Sequence, residues 1–301
     1  MLKATRLYNI TIVLSLVLTA CQSSGTVASQ KEPEYTAFGP PERVTIRGYS
    51  DHAMEPFITR DGRYLFFNNS NDPSVNTNLR YAERIDDLNF KYKGEVAGVN
   101  TKALEGVPTM DKNGVFYFVS TRSYKETLST IYHGRFSGGS VTGVKIVDGV
   151  SEKTLGRLNF DVEVSADGRT LYFVDGVFSG KPTPDKADIA IAERGDAGFR
   201  RLSGSAELLK NVNTDTLEYA ACVSPDELEL FFTRAGKGAP AIYRSSRKNA
   251  TQPFDSPARV ASIKGFVEAP ALSPDGRSIY YHLKEGERFV IYRVTRSLYP
   301  Q

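Results

Sequence analysis

The 301-residue chain is 40% hydrophobic and 11% aromatic, which is enough for a sizeable core and excludes a largely disordered protein. Its 38 basic and 35 acidic residues nearly balance, and Lys3 and Arg6 lie in a segment that we expect to be removed. A near-neutral mature chain lacks the basic footprint of nucleic-acid binders, so we expect no nucleic acid partner.

The first 20 residues have the pattern of a secretory signal peptide. Lys3 and Arg6 precede an apolar stretch, residues 10–18, that is too short to span a bilayer as a stable helix. This stretch ends in Leu18-Thr19-Ala20-Cys21, which resembles the bacterial lipobox. The resemblance implies that Cys21 carries lipid and becomes the mature N-terminus. The alternative is an ordinary signal peptide followed by a chance cysteine.

Residues 21–36 are rich in Ser, Gly, Gln and Glu and have no apolar period, which is typical of a flexible tether. Gln22 follows the cysteine, and bacterial lipoproteins retained in the inner membrane tend to carry Asp there. The resemblance therefore implies a protein anchored to the outer membrane on its periplasmic side, with the inner membrane as the alternative.

From residue 37 onward, one short phrase returns five times. Its clearest copy is Pro270-Ala271-Leu272-Ser273-Pro274-Asp275-Gly276-Arg277-Ser278-Ile279-Tyr280-Tyr281, an apolar run, a tight turn and an aromatic strand that together predict a hairpin. Glu227 replaces the turn glycine in the fourth copy, which we expect to strain that turn or change its type. The predicted turn residues are Asp61, Gly62, Asn113, Gly114, Asp167, Gly168, Pro225, Asp226, Pro274, Asp275 and Gly276.

Each hairpin is followed by a third strand that ends in arginine, and the clearest fourth strand is 254–260. After the fifth third strand no fourth strand follows, but residues 38–44 match residues 254–260 in their Phe, second Pro, Arg and Val. We therefore predict an all-β fold over residues 37–301, a five-bladed β-propeller of four-stranded antiparallel blades. An N-terminal strand completes the last blade and closes the ring.

These phrases resemble the WD40-like repeat of TolB-type β-propellers, in which a Pro, a Ser-Pro-Asp-Gly turn and an aromatic strand recur once per blade. The resemblance covers about residues 38–296. It implies a fold rather than an activity, because many unrelated functions share this architecture. The chain has no Gly-x-Ser-x-Gly nucleophile motif of the kind that hydrolase domains use.

One acid stands near the start of each predicted first strand, where five side chains should ring one mouth of the central channel. These candidate ligand or partner residues are Glu55, Glu105, Asp161, Glu218 and Glu268, with Glu163 as a sixth acid nearby. Two interpretations remain open. Such acids can accept backbone N–H bonds as part of the scaffold, or they can bind a cation or a basic group, since crowded carboxylates raise one another's pKa values without a partner.

The remaining reactive residue types predict no further site. No two of the three histidines have metal-ligand spacing, so we expect no metal, and we interpret His52 and His282 as solvated loop residues. Cys222 lies on an apolar stretch and is predicted to be a buried strand residue rather than a reactive thiol. We expect no catalytic residue and no cofactor.

The sequence thus predicts a lipid-anchored periplasmic propeller that is a non-enzymatic binding module. Its partner would be an envelope protein or polymer that engages the face around the channel mouth. The alternative is a carbohydrate-active enzyme or glycan receptor that uses the carboxylates at the mouth, because five-bladed glycosidases place paired acids there.

Overall fold

The computed structural model describes residues 32–72 and 74–297, and this part of the chain is almost entirely β-structure. Two four-residue helices, α1 (Tyr124–Thr127) and α2 (Ser205–Leu208), interrupt a succession of strands. The prediction of an all-β fold is confirmed. The predicted signal peptide and Cys21 lie outside the described residues. Within the described ranges, no helix is long and apolar enough to cross a membrane.

Most strands form five antiparallel groups in which neighbours in the chain are also neighbours in the sheet. Group 1 contains β4 (Met54–Ile58), β5 (Tyr64–Asn68), β6 (Leu79–Arg84) and β7 (Asn89–Glu95). Group 2 contains β8 (Glu105–Met110), β9 (Val115–Ser120), β10 (Ile131–Ser137) and β11 (Ser140–Ile146). Group 3 contains β12 (Arg157–Val164), β13 (Thr170–Val177), β14 (Lys186–Gly195) and β15 (Gly198–Arg201). Group 4 contains β16 (Leu217–Val223), β17 (Glu229–Ala235), β18 (Ala241–Ser246) and β19 (Ala258–Val260), and group 5 contains β20 (Val267–Leu272), β21 (Ser278–Glu285) and β22 (Arg288–Thr295).

Three short strands near the N-terminus, β1 (Glu34–Tyr35), β2 (Glu42–Arg43) and β3 (Thr45–Arg47), pair with the outer strands of three groups. β1 runs parallel to β19, β2 runs antiparallel to β22, and β3 runs parallel to β7. We call residues 34–47 the N-terminal strap. Since β1 lies within the segment predicted as a tether, the described end of that segment is held against group 4.

The hairpin turn of the repeat is built by side-chain and backbone hydrogen bonds. In group 5, the Ser273 hydroxyl donates to Asp275 Oδ1 at 2.5 Å, and the same oxygen accepts the N–H of Arg277 at 3.1 Å. Gly276 has φ 69° and donates its N–H to the Ser273 carbonyl at 2.9 Å. Groups 1, 3 and 4 repeat this Ser/Thr–Asp pair, so the recurrent phrase is an architectural element.

Two turns depart from the predicted pattern. In group 2 the loop is one residue shorter, and Asp111 rather than Asn113 caps it by accepting the N–H groups of Asn113 and Val115 at 2.8 and 2.9 Å. In group 4, Glu227 adopts the glycine conformation with φ 58° and keeps the N–H bond to the Ser224 carbonyl at 2.8 Å. The turn type is therefore retained, with a left-handed backbone that costs a non-glycine residue about 1 kcal/mol.

Every first strand carries a β-bulge of two residues near its middle. In four of the five, the first bulge residue lies in the left-handed region although it is not glycine. These residues are Glu55, Val107, Ala220 and Ala269, with φ between 50° and 56°. A bulge changes the direction of the side chains around it, so the five bulges decide which side chains of the first strands face the centre of the molecule.

The core consists of five apolar clusters, each located between two groups. Representative buried pairs are Phe66 and Phe116 between groups 1 and 2, Tyr117 and Phe173 between 2 and 3, Tyr172 and Phe232 between 3 and 4, Phe231 and Tyr281 between 4 and 5, and Phe67 and Tyr280 between 5 and 1. The first strands also contact one another in this order, β4 with β8, β8 with β12, β12 with β16, β16 with β20, and β20 with β4.

Three arginines at the ends of third strands connect neighbouring groups, and we call Arg194, Arg247 and Arg296 the seam arginines. Their Nε atoms donate to the carbonyl of the turn residue of their own group at 2.8–3.0 Å. Their guanidinium groups stack on phenylalanines, and their Nη2 atoms reach a side chain of the preceding group. The three phenylalanines are Phe199, Phe254 and Phe38, and the three partners across the seam are Tyr117, Tyr172 and Glu229.

Replacing Arg247 by lysine is expected to lower the free energy of unfolding by about 1–2 kcal/mol, because an ammonium group cannot keep all three hydrogen bonds of the guanidinium fork. Arg247 is 6% exposed and bonds to the Glu227 carbonyl, the Ala250 carbonyl and the Tyr172 hydroxyl. Chemical denaturation measures the change. The same substitution at the exposed Arg277 is the control, and equal stability of Arg247→Lys and Arg277→Lys would contradict the role assigned to the seam.

Candidate functional site

The five acids predicted at the channel mouth lie on the first strands at different positions relative to the bulge. Glu105 and Glu218 lie two residues before the first bulge residue, and Glu268 lies directly before it. Glu55 and Asp161 are themselves bulge residues. Since side chains alternate along a strand and a bulge re-aims them, the structure brings together Glu55, Asp161 and Glu268 and places the other two elsewhere.

Glu105 and Glu218 each hold the loop that precedes their strand. Glu218 accepts the N–H and the hydroxyl of Thr214 at 3.0 and 2.7 Å and Arg234 Nε at 2.7 Å. Glu105 accepts the N–H and the hydroxyl of Thr101 at 2.8 and 2.7 Å. Both side chains are fully buried, so these two carboxylates belong to the scaffold.

The other three acids form a buried cluster with a histidine and a tyrosine, and we call Glu55, Asp161, Tyr219, Glu268 and His282 the mouth cluster. Glu268 accepts the Tyr219 hydroxyl through Oε1 and lies 3.1 Å from His282 Nε2 through Oε2. The N–H of Glu55 donates to His282 Nδ1 at 3.1 Å. Because Nδ1 is an acceptor here, Nε2 carries the proton and donates it to Glu268, so the imidazole is neutral.

Two further contacts fix the carboxyl groups of Glu55 and Asp161. Asn71 Nδ2 donates to Glu55 Oε1 at 2.8 Å, and the N–H of Ala220 donates to Asp161 Oδ2 at 3.1 Å. Asn71 lies in the loop after β5, and Ala220 is a bulge residue of group 4. The cluster therefore depends on four of the five groups, the exception being group 2.

The mouth cluster contains more acid than base, and this changes its ionisation. Burial raises the pKa of Asp161 well above its usual range, and the neighbouring Glu55 raises it further. Burial likewise raises the pKa of Glu55, with a contribution from Glu268. Burial and the adjacent Glu268 also raise the pKa of the Tyr219 hydroxyl, which stays a proton donor. Glu268 accepts two side-chain hydrogen bonds, from Tyr219 and His282. The raised pKa values of Glu55 and Asp161 favour their protonated forms.

The interpretation of His282 as a solvated loop residue is wrong. His282 lies within β21 with no exposed surface, and its ring packs edge-on against Phe289 at 5.3 Å. Its position directly opposite Glu268 in the β20–β21 pairing is the signal that a register analysis could have used. Cys222 is buried on β16 as predicted, and burial raises the pKa of its thiol.

Below the mouth cluster the central channel is narrow and blocked. Its walls are the bulges of the first strands, and its free volume is about 30 Å³, room for a water molecule or two but not for a sugar ring. Arg60 closes the far end by pairing with Glu163 at 2.8 Å and donating to the Val164 carbonyl at 2.6 Å. Glu163 also accepts the Thr109 hydroxyl at 2.5 Å. The turn residue Arg60 had no sequence signal for this role.

A larger cavity of about 440 Å³ opens to solvent beside the mouth, between groups 1 and 5, and we call it the mouth groove. Its wall combines acids, amides and a lysine with a few apolar side chains, among them Met54 and Phe289. Its lining includes Asp51, His52, Met54, Asn69, Asn71, Asp72, Lys284, Glu287 and Phe289. Asn71 links the two features, because it lines the groove and bonds to Glu55 of the mouth cluster.

The described residues contain no group of three or more His, Cys, Asp or Glu side chains arranged to hold a metal ion. The mouth cluster fits this result, since its histidine and carboxyl groups are turned toward protein donors and toward each other. No residue set within 32–72 and 74–297 is therefore assigned to a metal.

Comparisons with known proteins concern the fold alone. No family model and no curated protein matches this chain. Among solved structures, a family 117 glycoside hydrolase from Zobellia galactanivorans is 12% identical over 86% of this chain and 90% of that chain, with a TM-score of 0.58. An α-L-arabinofuranosidase from Podospora anserina, in complex with cellotriose, is 14% identical over 88% of this chain and 96% of that chain, with a TM-score of 0.55.

A TolB structure from Acinetobacter baumannii is 14% identical over 83% of this chain and 56% of that chain, with a TM-score of 0.46. At such identities the similarities extend to architecture and not to activity. The predicted β-propeller fold is confirmed by the glycoside hydrolases: this chain has a β-propeller fold, which it shares with them.

Proposed function

We propose that this protein is a lipid-anchored, non-enzymatic binding propeller on the periplasmic side of the outer membrane. Its five groups are five blades of one closed ring, and its partner, an envelope protein or polymer, binds in the mouth groove. The observation that carries the binding function is the contrast between two features. The carboxyl groups at the mouth are buried and bonded within the protein, whereas the groove beside them is open, polar and large enough for a ligand.

The closed five-bladed ring is supported by two repeated relationships. The five apolar clusters connect the groups in a cycle, the last one joining group 5 to group 1. The N-terminal strap also provides an outer strand for group 5: β2 pairs with β22 there, as the fourth strand β19 pairs with β18 in group 4. Arg43 pairs with Tyr292 as Arg259 pairs with Tyr243, and Arg296 stacks on Phe38 as Arg247 stacks on Phe254.

The anchor and the compartment rest on the N-terminal sequence. The charged start, the short apolar stretch and Leu18-Thr19-Ala20-Cys21 together favour acylation of Cys21, and Gln22 favours the outer membrane. Radioactive palmitate incorporation into the wild type, and its loss in Cys21→Ala, tests the anchor. Membrane fractionation then tests which membrane holds the protein.

A carbohydrate-active enzyme is the second candidate, and one observation favours it. Glu55 and Asp161 are neighbouring acids with raised pKa values, and an acid kept protonated beside a second carboxyl group is what glycoside hydrolysis uses. Such an enzyme would release reducing ends from an oligosaccharide panel and lose this activity in Asp161→Asn. A binding propeller releases none in either form.

The mouth groove is tested by charge reversal at two exposed positions of the β21–β22 hairpin, Lys284→Glu in β21 and Glu287→Lys in the turn. Each is expected to weaken recovery of the partner, crosslinked in intact cells, by about fivefold or more, since a misplaced rim charge costs about 1 kcal/mol or more. Matched reversals on the opposite face, Lys248→Glu and Asp196→Lys, are expected to leave recovery unchanged. Equal recovery from all four variants would remove the groove as the binding site.

A further inference from the structure

A second open cavity lies on the face opposite the mouth, where the hairpin turns of groups 2 and 3 meet. Its volume is about 770 Å³, and we call it the seam groove. The turn residues Asp111 and Asp167 form part of its wall, together with His133, Arg135, Arg169 and Arg194. Four of these six side chains are basic or can become so.

The two acids in the wall are already engaged by their own turns. Asp111 Oδ1 accepts the N–H groups of Asn113 and Val115 at 2.8 and 2.9 Å. Asp167 Oδ1 accepts the Ser165 hydroxyl at 2.7 Å and the N–H of Arg169 at 3.0 Å. These carboxylates bond within their own turns and form no direct ion pair with the arginines among the described residues, although, against the opposing effect of burial, hydrogen bonds and the nearby Arg169 lower the pKa of Asp167.

Comparison of the seams shows that the seam arginine of this one, Arg194, has no carboxylate paired with it in the described part of the chain. Arg247 and Arg296 each have a glutamate within ion-pairing distance, Glu227 of its own turn at 3.9 Å and Glu229 of the preceding group in direct contact. Arg194 instead donates to the Tyr117 hydroxyl. Among the described residues, no carboxylate lies within ion-pairing distance of Arg194, Arg135 or Arg169.

The guanidinium groups of Arg135 and Arg169 in the seam groove also have hydrogen-bond donors without a partner among the described residues. Arg135 uses one donor on the Asn113 carbonyl at 2.8 Å and is otherwise exposed. Arg169 is exposed, and its guanidinium forms no hydrogen bond within the described part of the chain. A guanidinium presents paired donors that match the oxygens of a phosphate.

Cations outnumber acids among the charged groups that act on His133. Its ring stacks on Tyr117 at 5.6 Å, and Lys145 is its cross-strand neighbour. Burial lowers the pKa of His133, and Lys145 and Arg194 lower it further, against the opposing effect of Asp148. An anion bound in this groove would counteract the lowering of the His133 pKa by these cations.

We propose that the seam groove binds a phosphate group, held between the guanidinium groups of Arg135, Arg169 and Arg194 with His133 in the wall. The site is separate from the mouth groove and does not depend on the function proposed for it. The chemistry is that of a phosphate monoester, and the cavity has room for the sugar or other group that carries it.

The test follows the ring protons of His133 by NMR at fixed pH while inorganic phosphate replaces chloride at constant ionic strength. The chain has three histidines, and His52 on the opposite face serves as an internal reference. Phosphate is expected to shift His133 saturably and to leave His52 unmoved. Glucose 6-phosphate should shift it at least as strongly, and glucose should not shift it.

Arg169→Gln and Arg135→Gln are each expected to weaken phosphate binding by about 5- to 10-fold, the effect of one charge-assisted contact. Arg277→Gln, at the turn position of group 5 that corresponds to Arg169, is the matched control and should bind as the wild type does. An unsaturable shift, or equal weakening in the control, would overturn the proposal. So would a response of His133 to phosphatidylglycerol vesicles without a response to inorganic phosphate, which would indicate a membrane-facing surface instead of a phosphate pocket.

Discussion

Replacing Arg60 by methionine is expected to lower the free energy of unfolding by about 3–5 kcal/mol, the largest effect of any single substitution considered for this protein. The Arg60 side chain is 11% exposed, and Glu163 is 5% exposed. Without the guanidinium, the carboxyl group of Glu163 would be left without its ion-pair partner in the closed end of the channel, with the Thr109 hydroxyl as its side-chain hydrogen-bond partner. Urea denaturation of Arg60→Met at neutral pH measures the loss.

The neighbouring Arg63 provides the control for this substitution. Its side chain is 61% exposed and pairs with Glu83 at the surface, so Arg63→Met is expected to change stability little. Removing both members of the buried pair, in Arg60→Met combined with Glu163→Leu, should restore most of the loss, because no uncompensated charge is then buried. A double variant as unstable as Arg60→Met alone would mean that packing, rather than charge, explains the effect.

Replacing Asp161 by asparagine is expected to stabilise the protein at neutral and alkaline pH. The folded state raises the pKa of Asp161, so the unfolded chain loses its proton first as the pH rises above about 4. Stability contributed by this group therefore falls from that pH until the folded carboxyl also ionises. The fall is about 1.4 kcal/mol for each unit by which the pKa is raised, and the Asp161→Asn variant would not show it.

The measurement is the free energy of unfolding of wild type and Asp161→Asn between pH 4 and pH 9. The two curves should converge at the acid end and separate as the pH rises, with the variant above. Asp161→Ala distinguishes charge from contact, because it removes the acceptor for the Ala220 N–H as well. A variant that loses equal stability at both ends of the range would contradict the assignment of a raised pKa.

Glu55→Gln should also stabilise the protein as the pH rises. The stabilising effects of Glu55→Gln and Asp161→Asn should not add, since the two carboxyl groups interact.

Burying three carboxyl groups beside one neutral histidine destabilises the fold, and a scaffold does not require it. Group 2 shows the less costly arrangement, with Val107 and Pro108 at its bulge and its acid, Glu105, bonded to the preceding loop. The mouth cluster is thus a place where local stability is given up, as is common at sites that interact with other molecules. A stabilising Glu55→Gln that loses partner binding would connect the cluster to the groove through Asn71, which bonds to Glu55 and lines the groove.

Much of the architecture is predictable from local chemistry. The phrase around Asp275 and Gly276 specifies a turn by hydrogen bonds that lie within six residues, so its recurrence locates the hairpin between the first and second strands of each group. The sequence predicts an arginine at the end of each third strand, but it does not predict the contacts that these arginines make with the preceding group. Arg247 contacts Tyr172, 75 residues away, and no local pattern indicates that pairing.

The acids show where prediction from sequence ends. Four of the five lie at the first or second position of a first strand, as expected, whereas Asp161 lies in the middle of β12. The direction of each side chain depends on a two-residue bulge that changes the register. A one-residue difference in position separates Glu218, which holds a loop, from the position that Glu268 occupies in group 5. The prediction for His282 is wrong for the same reason, since its burial follows from the residue opposite it and not from its own surroundings in the chain.

The N-terminal strap has a consequence for how the protein is made. Glu42 in β2 bonds to Arg293 in β22, a contact that spans 251 residues, so β2 has no partner until almost the whole chain has been synthesised. Contacts of such high sequence separation form slowly, because a very long loop must close first. Within the strap, β2 is therefore synthesised early and fixed late, whereas β3 can pair with β7 as soon as group 1 has formed. Until β2 pairs with it, the outer edge of β22 is exposed, which makes this edge the place where β2 of a second copy could pair instead.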